Sequence, residues 1–234
     1  MHYFALLLTP EDHRYDADQE ASDEMAAYQA FHTSAASAIR AGDALLPSAT
    51  GVRITGGPDS PSVTDGPFAE SAEVAGGYYV FEAENLDDAL ALAREIPAAK
   101  YGAIEVWPTV MWNQPEKPLD GTNWLALLLE PADKVVTPGS AQWEVGIAAH
   151  GEFGAAAAAH NKAGAALQPP AMATTVRVRD GKTIFTDGPY VEGAEVANGF
   201  YILSATDQDE AVKVASMIPA TTVEVRQLAG VSGL

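Results

Sequence analysis

The sequence predicts an α+β fold laid down twice, one copy after the other. Three observations predict it. The stretch Thr64-Asp65-Gly66-Pro67-Phe68-Ala69-Glu70 returns 122 residues later as Thr186-Asp187-Gly188-Pro189-Tyr190-Val191-Glu192. At the same offset Gly77-Tyr78-Tyr79-Val80 returns as Gly199-Phe200-Tyr201-Ile202. Around both pairs the same succession of apolar runs and helical periodicities recurs. Self-similarity at a fixed offset marks an internal duplication. The 234 residues suffice for two units, each of about 110 residues and able to close a modest core. The expected division is one unit over 1–109, a connector over 110–121, and a second unit over 122–230.

Tyr3 to Thr9 is a short apolar run ended by Pro10, which reads as a buried strand. Residues 11–24 carry Glu11, Asp12, Asp16, Asp18, Glu20, Asp23 and Glu24. This is a solvated acidic loop leading into a helix N-terminus, where negative charge suits the dipole. It lacks the glycine and spacing of a calcium loop. Met25, Tyr28, His32, Ala35 and Ile39 then recur at three- and four-residue steps, predicting a helix that stops at Gly42. Gly51 to Thr55 and Ser62 to Thr64 are strands joined through Gly56-Gly57-Pro58. Gly76 to Ala83 is aromatic on both faces and so is expected at the centre, covered on both sides. Leu86, Ala89, Leu90 and Ala93 mark a second helix, and Ala103 to Trp107 a closing strand. The connector is rich in Pro, Gly and Asn, and its Trp112 is expected to pack onto a domain.

The second unit repeats the order. Trp124 to Leu129 matches the first strand, and a helix is predicted from about Ala141 to Ala163, with Lys162-Ala163-Gly164 set against Arg40-Ala41-Gly42. Thr174 to Arg179 and Thr183 to Thr186 form a hairpin over the tight turn Asp180-Gly181. Asn198 to Ser204 is the aromatic strand, Asp207 to Met217 the second helix, and Thr222 to Arg226 the final strand. A β-α-β-β-α-β unit makes an antiparallel sheet with both helices on one face, the ferredoxin-like arrangement. Its other face is apolar and must be covered. The tandem copy can cover it, and the expectation is that the two sheets close into one pseudo-twofold barrel, an internal pseudo-dimer.

Composition narrows the function classes. The net charge is −19, with 6 basic and 19 acidic residues in 1–118 against 7 and 13 in 119–234. Such a field repels nucleic-acid phosphates and anionic lipid, so neither nucleic acid nor membrane is an expected partner. There is no cysteine, which removes disulfides, thiolate chemistry and sulfur-based metal sites and fits a cytoplasmic location. The run from Met1 to Leu8 has no basic flank and is too short for a signal peptide or a span. No histidine pair has zinc spacing, and no phosphate-cradling loop or nucleophile elbow is present, so neither a metal nor a cofactor is expected.

The repeated Thr-Asp-Gly-Pro-Phe-Ala-Glu followed by Gly-Gly-Tyr-Tyr resembles the DGPF family of YCII-related proteins. So do Arg40-Ala41-Gly42, the strand Thr175 to Lys182, and Ile96-Pro97-Ala98-Ala99 ahead of Tyr101-Gly102 and Glu105-Val106. The likeness covers both halves. It implies a dimeric α+β barrel, built here within one chain. Some YCII relatives look like small cofactor-free enzymes, including a dehydrochlorinase of chlorinated hydroxyquinols. Those rely on a His near the end of the first helix and an Asp in the loop that follows. Here His32 lies ten residues before Gly42, but its equivalent in the second unit is Gly154, and His150 aligns with Tyr28. The motif's own Asp is matched at Asp65 and Asp187.

The candidate catalytic residues are Asp65, Asp187, His32 and His150. Asp-Gly-Pro is first of all a turn signal. Its functional reading is a carboxylate beside the aromatic strand, acting as a general base or holding a substrate hydroxyl. A histidine on the apolar stripe of a helix is either packed and hydrogen-bonded or a general acid/base. Arg53 and Arg177, in Val52-Arg53-Ile54 and Val176-Arg177-Val178, read as matching strand positions. Each can pair with a motif Asp, bind a carboxylate or phenolate ligand, or simply face solvent. Tyr79 and Tyr201 can line a pocket for a small aromatic molecule or serve as core. Two function classes stay open. One is a cofactor-free enzyme moving protons, by elimination or isomerisation, on a small polar or aromatic metabolite. The other is a non-catalytic ligand-binding or regulatory module. Leftover sheet edges also leave room for two whole chains to pair.

Overall fold

The computed structural model describes residues 1–11, 18–67, 73–114, 119, 121–189 and 195–231. The first half runs β1 (His2–Pro10), α1 (Asp18–Ala35), β2 (Ile39–Ala44), β3 (Val52–Thr55), β4 (Ser62–Asp65), β5 (Glu73–Glu82), α2 (Leu86–Ala93) and β6 (Ala103–Asn113). The second runs β7 (Asn123–Pro131), α3 (Ala141–Ala156), β8 (Asn161–Leu167), β9 (Thr174–Arg179), β10 (Lys182–Asp187), β11 (Glu195–Ser204), α4 (Gln208–Ala215) and β12 (Thr222–Gln227). Residues 12–17 of the expected acidic loop, and Phe68 to Glu70 and Tyr190 to Glu192 of the repeated motif, lie outside the described residues.

Two elements differ from expectation in the same way. The long helices end at Ala35 and Ala156, and the segments carrying Arg40-Ala41-Gly42 and Lys162-Ala163-Gly164 are strands. Both segments are rich in Ala and Gly, so helix and strand leave the same weak apolar signature. What decides is tertiary: β2 pairs with β5 through Gly42↔Tyr79, and β8 with β11 through Gly164↔Tyr201. The expected connector also begins inside a strand, because β6 continues past Pro108 to Asn113.

Burial follows strand periodicity. Tyr3, Ala5 and Leu7 face one side of β1 and pack with Phe31, Ala35, Ala89, Ala93 and Ile96, so α1 and α2 cover that face. Trp124, Ala126 and Leu128 do the same under α3 and α4, with Phe153, Ala211 and Val214. The alternate residues Phe4, Leu6, Tyr78 and Val80 meet Leu125, Leu127, Phe200 and Ile202 in a third, central cluster. The Phe4 and Phe200 rings stack there at 4.3 Å. The apolar strand face that each half's helices leave bare is thus covered by the other half. The helices are capped as their sequences allow, by Asn85 on Asp88, Ser140 on Trp143 and Asp207 on Glu210.

The expected barrel is not formed. The described strands make one twelve-stranded sheet in the order β2-β5-β1-β6-β8-β11-β7-β12-β3-β4, with β9 and β10 branching from β6. The path is open, ending at β2 and β4. The reason lies in what the free edges carry. β12 gives its outer edge to β3, with Glu224 opposite Arg53, and reaches β2 only through the isolated bridge Leu45↔Leu228. β6 divides its outer edge between β9 and β8. Each half therefore lends a hairpin to the other. β3–β4 of the first lies on the last strand of the second, and β9–β10 of the second on the last strand of the first.

Candidate functional site

The duplicated strands bring together a tyrosine, a glycine and a helix histidine in each half. In the first, His32 on α1 shares a 2.7 Å hydrogen bond, through Nε2, with the hydroxyl of Tyr79 on β5. In the second, His150 on α3 shares a 3.0 Å bond, through Nδ1, with Tyr201 on β11. The phenylalanines Phe31 and Phe153 flank the same tyrosines at 5.3 and 4.9 Å. This fixes the register of the helices and places Tyr28 opposite His150, and His32 opposite Gly154. The two dyads occupy matching places on the strands but are served from one helical turn apart.

The glycine is the seat of the ring. A Cβ at Gly164 would stand 2.7 Å from Tyr201 Cδ1, and a Cβ at Gly42 would collide with Tyr79 Cδ1 in the same way. Only glycine lets each ring lie across its neighbouring strand with the hydroxyl reaching the helix. The sequence pattern alone suggests helix stops at these glycines. A repeated Gly facing a repeated Tyr is the signal that could have revealed the pairing.

Burial controls the protonation of both dyads. It pushes His150 below its ordinary value, against a weaker upward pull from Glu130. It also lowers His32, against Asp43. Tyr201 is pushed up to about 12 by burial, and Tyr79 is raised as well, by burial and then by Tyr28 and Asp43. At neutral pH each dyad is a neutral imidazole beside a protonated phenol.

The second dyad opens on a cavity. A pocket of ≈ 1180 Å³ lies between α3, the segment that follows β7, and strands β8 and β11. His150, Tyr201, Gly164 and Gly199 line it, with Trp143, Gly146 and Ile147 from α3, Leu128, and Met111 and Trp112 from the end of β6. Glu130, Asp133 and Lys134 bring charge to its wall. Trp112, expected only to pack, does so near Phe200 at 6.0 Å and also lines the pocket. Trp143 and the α3 glycines were not anticipated, because an Ala- and Gly-rich helix signals propensity and not a cavity wall.

The other expected site residues lie elsewhere. Asp65 and Asp187 are exposed at the ends of β4 and β10, and neither lines this pocket. In both copies the motif's glycine amide is tied down, Gly66 N–H to the Gly51 carbonyl at 2.9 Å and Gly188 N–H to that of Ala173 at 2.8 Å. Arg53 donates to Glu224 at 3.1 and 3.2 Å. Arg177 grips both oxygens of Glu73 at 2.7 Å and also donates to the Gly102 carbonyl. Each arginine thus fastens a lent hairpin to the opposite half. They are not matching positions. The residue opposite Glu105 of β6 is Thr175, as Arg53 is opposite Glu224 of β12. Glu224 also accepts from Arg226 at 3.2 Å, and both side chains are buried. Gly51 admits Arg226, since a Cβ there would overlap its Cδ.

Among the described residues no group of three or more His, Asp or Glu stands ready to hold a metal ion, and no helix is long and apolar enough to cross a membrane. The family of the YCII-related domain matches the chain twice, over residues 1–113 and 126–229. No curated protein matches it. Among solved structures the chain is similar to the crystal structure of a "Putative Chlorite dismutase", at 9% identity over 99% of this chain and 97% of that one, with a TM-score of 0.42.

Proposed function

The chain belongs to the YCII-related family in both its halves, and from that premise we propose that it binds a small polar or aromatic metabolite in the second-half pocket and moves a proton on it, in an elimination or isomerisation. The observation that carries this reading is the His150–Tyr201 dyad in the wall of a cavity that sets Trp112, Trp143 and Ile147 beside a few polar and charged groups. Apolar walls with a few convergent polar groups suit a small molecule. A half-buried imidazole held neutral is a proton acceptor at neutral pH. With Nδ1–H donating to Tyr201 Oη, the lone pair of Nε2 is left to take the proton. The imidazolium that forms keeps the same bond, so the ring does not turn during the transfer. Tyr201 stays protonated and orients the base. Trp112, Trp143 and Ile147 supply the contact area that orders a flat ligand, and Gly164 seats the tyrosine. Asp65, Asp187, Arg53 and Arg177 have no part in this reading.

The test works without an identified substrate. The full chain is incubated in deuterium oxide with a panel of small phenols and cyclic enols, and exchange of their carbon-bound protons is followed by NMR. The expected result is enzyme-dependent exchange in at least one member, slowed about 10²–10⁴-fold by His150→Gln, the usual contribution of a positioned acid or base. Binding with no exchange, insensitive to His150→Gln, would make the chain a ligand-holding module instead.

A further inference from the structure

The two halves treat the same space differently, and this bears on how many ligands the chain takes. In α3 the residues above the pocket are Gly146 and His150, and a Cβ on Gly146 would meet no atom within 4 Å. The matching residues of α1 are Glu24 and Tyr28. Their side chains are joined by a third. The Tyr101 hydroxyl donates to Glu24 Oε1 at 2.6 Å, and Tyr101 shares a hydrogen bond with Tyr28. Tyr101 exists only in the first half. Seven residues separate Ile96 from Ile104, but four separate the corresponding Ile218 and Val223. The shorter turn leaves Pro219 at the pocket wall where the first half carries a 3-10 turn, Pro97–Lys100, that packs on α1. Below, Asp43 occupies the strand position of Ala165. It is held by the amides of Gly230 and Val231 at 3.1 and 3.2 Å, while Ala165 lines the cavity.

We infer that the second half is the open copy of one inherited cavity, and that Glu24, Tyr28 and Tyr101 plug the first-half copy, so that the chain takes up one small aromatic molecule and not two. This rests on the pocket reading above and adds which half is occupied and what closes the other. A large helix residue, a phenol from an inserted turn, and a hydrogen bond between them fill volume that glycine and a shorter turn leave empty. Half-buried phenols that satisfy each other in this way are costly to displace, because each would give up its partner.

The experiment is a calorimetric titration of the full chain with 4-nitrophenol, with the histidine ring signals followed by NMR in parallel. The expected result is one molecule bound per chain, perturbing His150 and not His32. Exchanging the plug for its counterpart, Tyr28→His together with Tyr101→Ala, is expected to raise the count to two. Two molecules bound by the unaltered chain would overturn the plug while leaving the pocket reading intact. So would a folded double variant that still binds one. No binding at all by the unaltered chain would sink the pocket reading and the plug with it.

Discussion

His32 and His150 each meet a tyrosine at the same place on a duplicated strand, yet they come from positions one helical turn apart and use opposite ring nitrogens. The tyrosines and the glycines beneath them keep their places, because a ring lying on a strand fits only where the neighbouring residue has no side chain. The helix residue was free to move, because a buried hydroxyl needs a partner but does not dictate from which turn it comes. The consequence is functional. In the second half the partner sits where α3 is thin and the cavity open. In the first, a tyrosine fills that place and the histidine stands one turn further on.

The comparison can be broken most severely at the borrowed hairpins. Glu224 is buried and holds Arg53 together with the buried Arg226, whereas Glu73 and Arg177 both keep some exposure. Glu224→Ala strands a buried guanidinium and is expected to cost about 3–5 kcal/mol in urea denaturation. Glu73→Ala is expected to cost clearly less. Equal losses would show that the two fastenings are equivalent after all. Next in size are the ring seats. Gly164→Ala and Gly42→Ala each overpack a strand against a tyrosine, at about 1–3 kcal/mol. Gly164→Ala should also release the Tyr201–His150 bond and match Tyr201→Phe in its effect on the His150 tautomer, seen by nitrogen NMR.

Much of the fold is legible in the sequence. Gly77-Tyr78-Tyr79 and its repeat mark the central strands, and the unbroken apolar runs of β1 and β7 mark strands buried on both faces. The open sheet cannot, because no residue of β12 signals that its outer edge will be taken by Val52–Thr55 of the other half. Nor can β2 and β8, whose Ala and Gly residues owe their strand conformation to the tyrosines they face. For the site, His32, His150, Tyr79 and Tyr201 stand out as residue types on apolar faces, but their pairing depends on the glycine seats, which only the strand register reveals. Asp65 and Asp187 carry a signal that any Asp-Gly-Pro turn would carry.

Acidity sharpens the contrast more gently. His32 and His150 are held below their ordinary values, so the unfolded chain binds more protons between the lowered value and about 6.5. The stability they contribute is present above that window and is lost as the pH falls through it. Thermal melts are expected to drop on acidification there, and the drop should shrink in a His32→Gln, His150→Gln chain. Smallest of all, Gly154 sits in α3, where an added methyl group would meet open space. Gly154→Ala is expected to stabilise by about 0.5–1 kcal/mol, the ordinary gain from removing a helix-interior glycine. A loss would mean that the space above α3 is already spoken for.

The proposed transfer of a proton to His150 is tested most directly by the pH dependence of carbon-bound proton exchange in deuterium oxide, measured with the full chain on the panel member that exchanges. The expected rate rises as His150 loses its proton, with a midpoint below the ordinary histidine value of about 6.5, and the rise disappears in His150→Gln with binding retained. A rate without that rise, or a rise that survives the substitution, would count against His150 as the base.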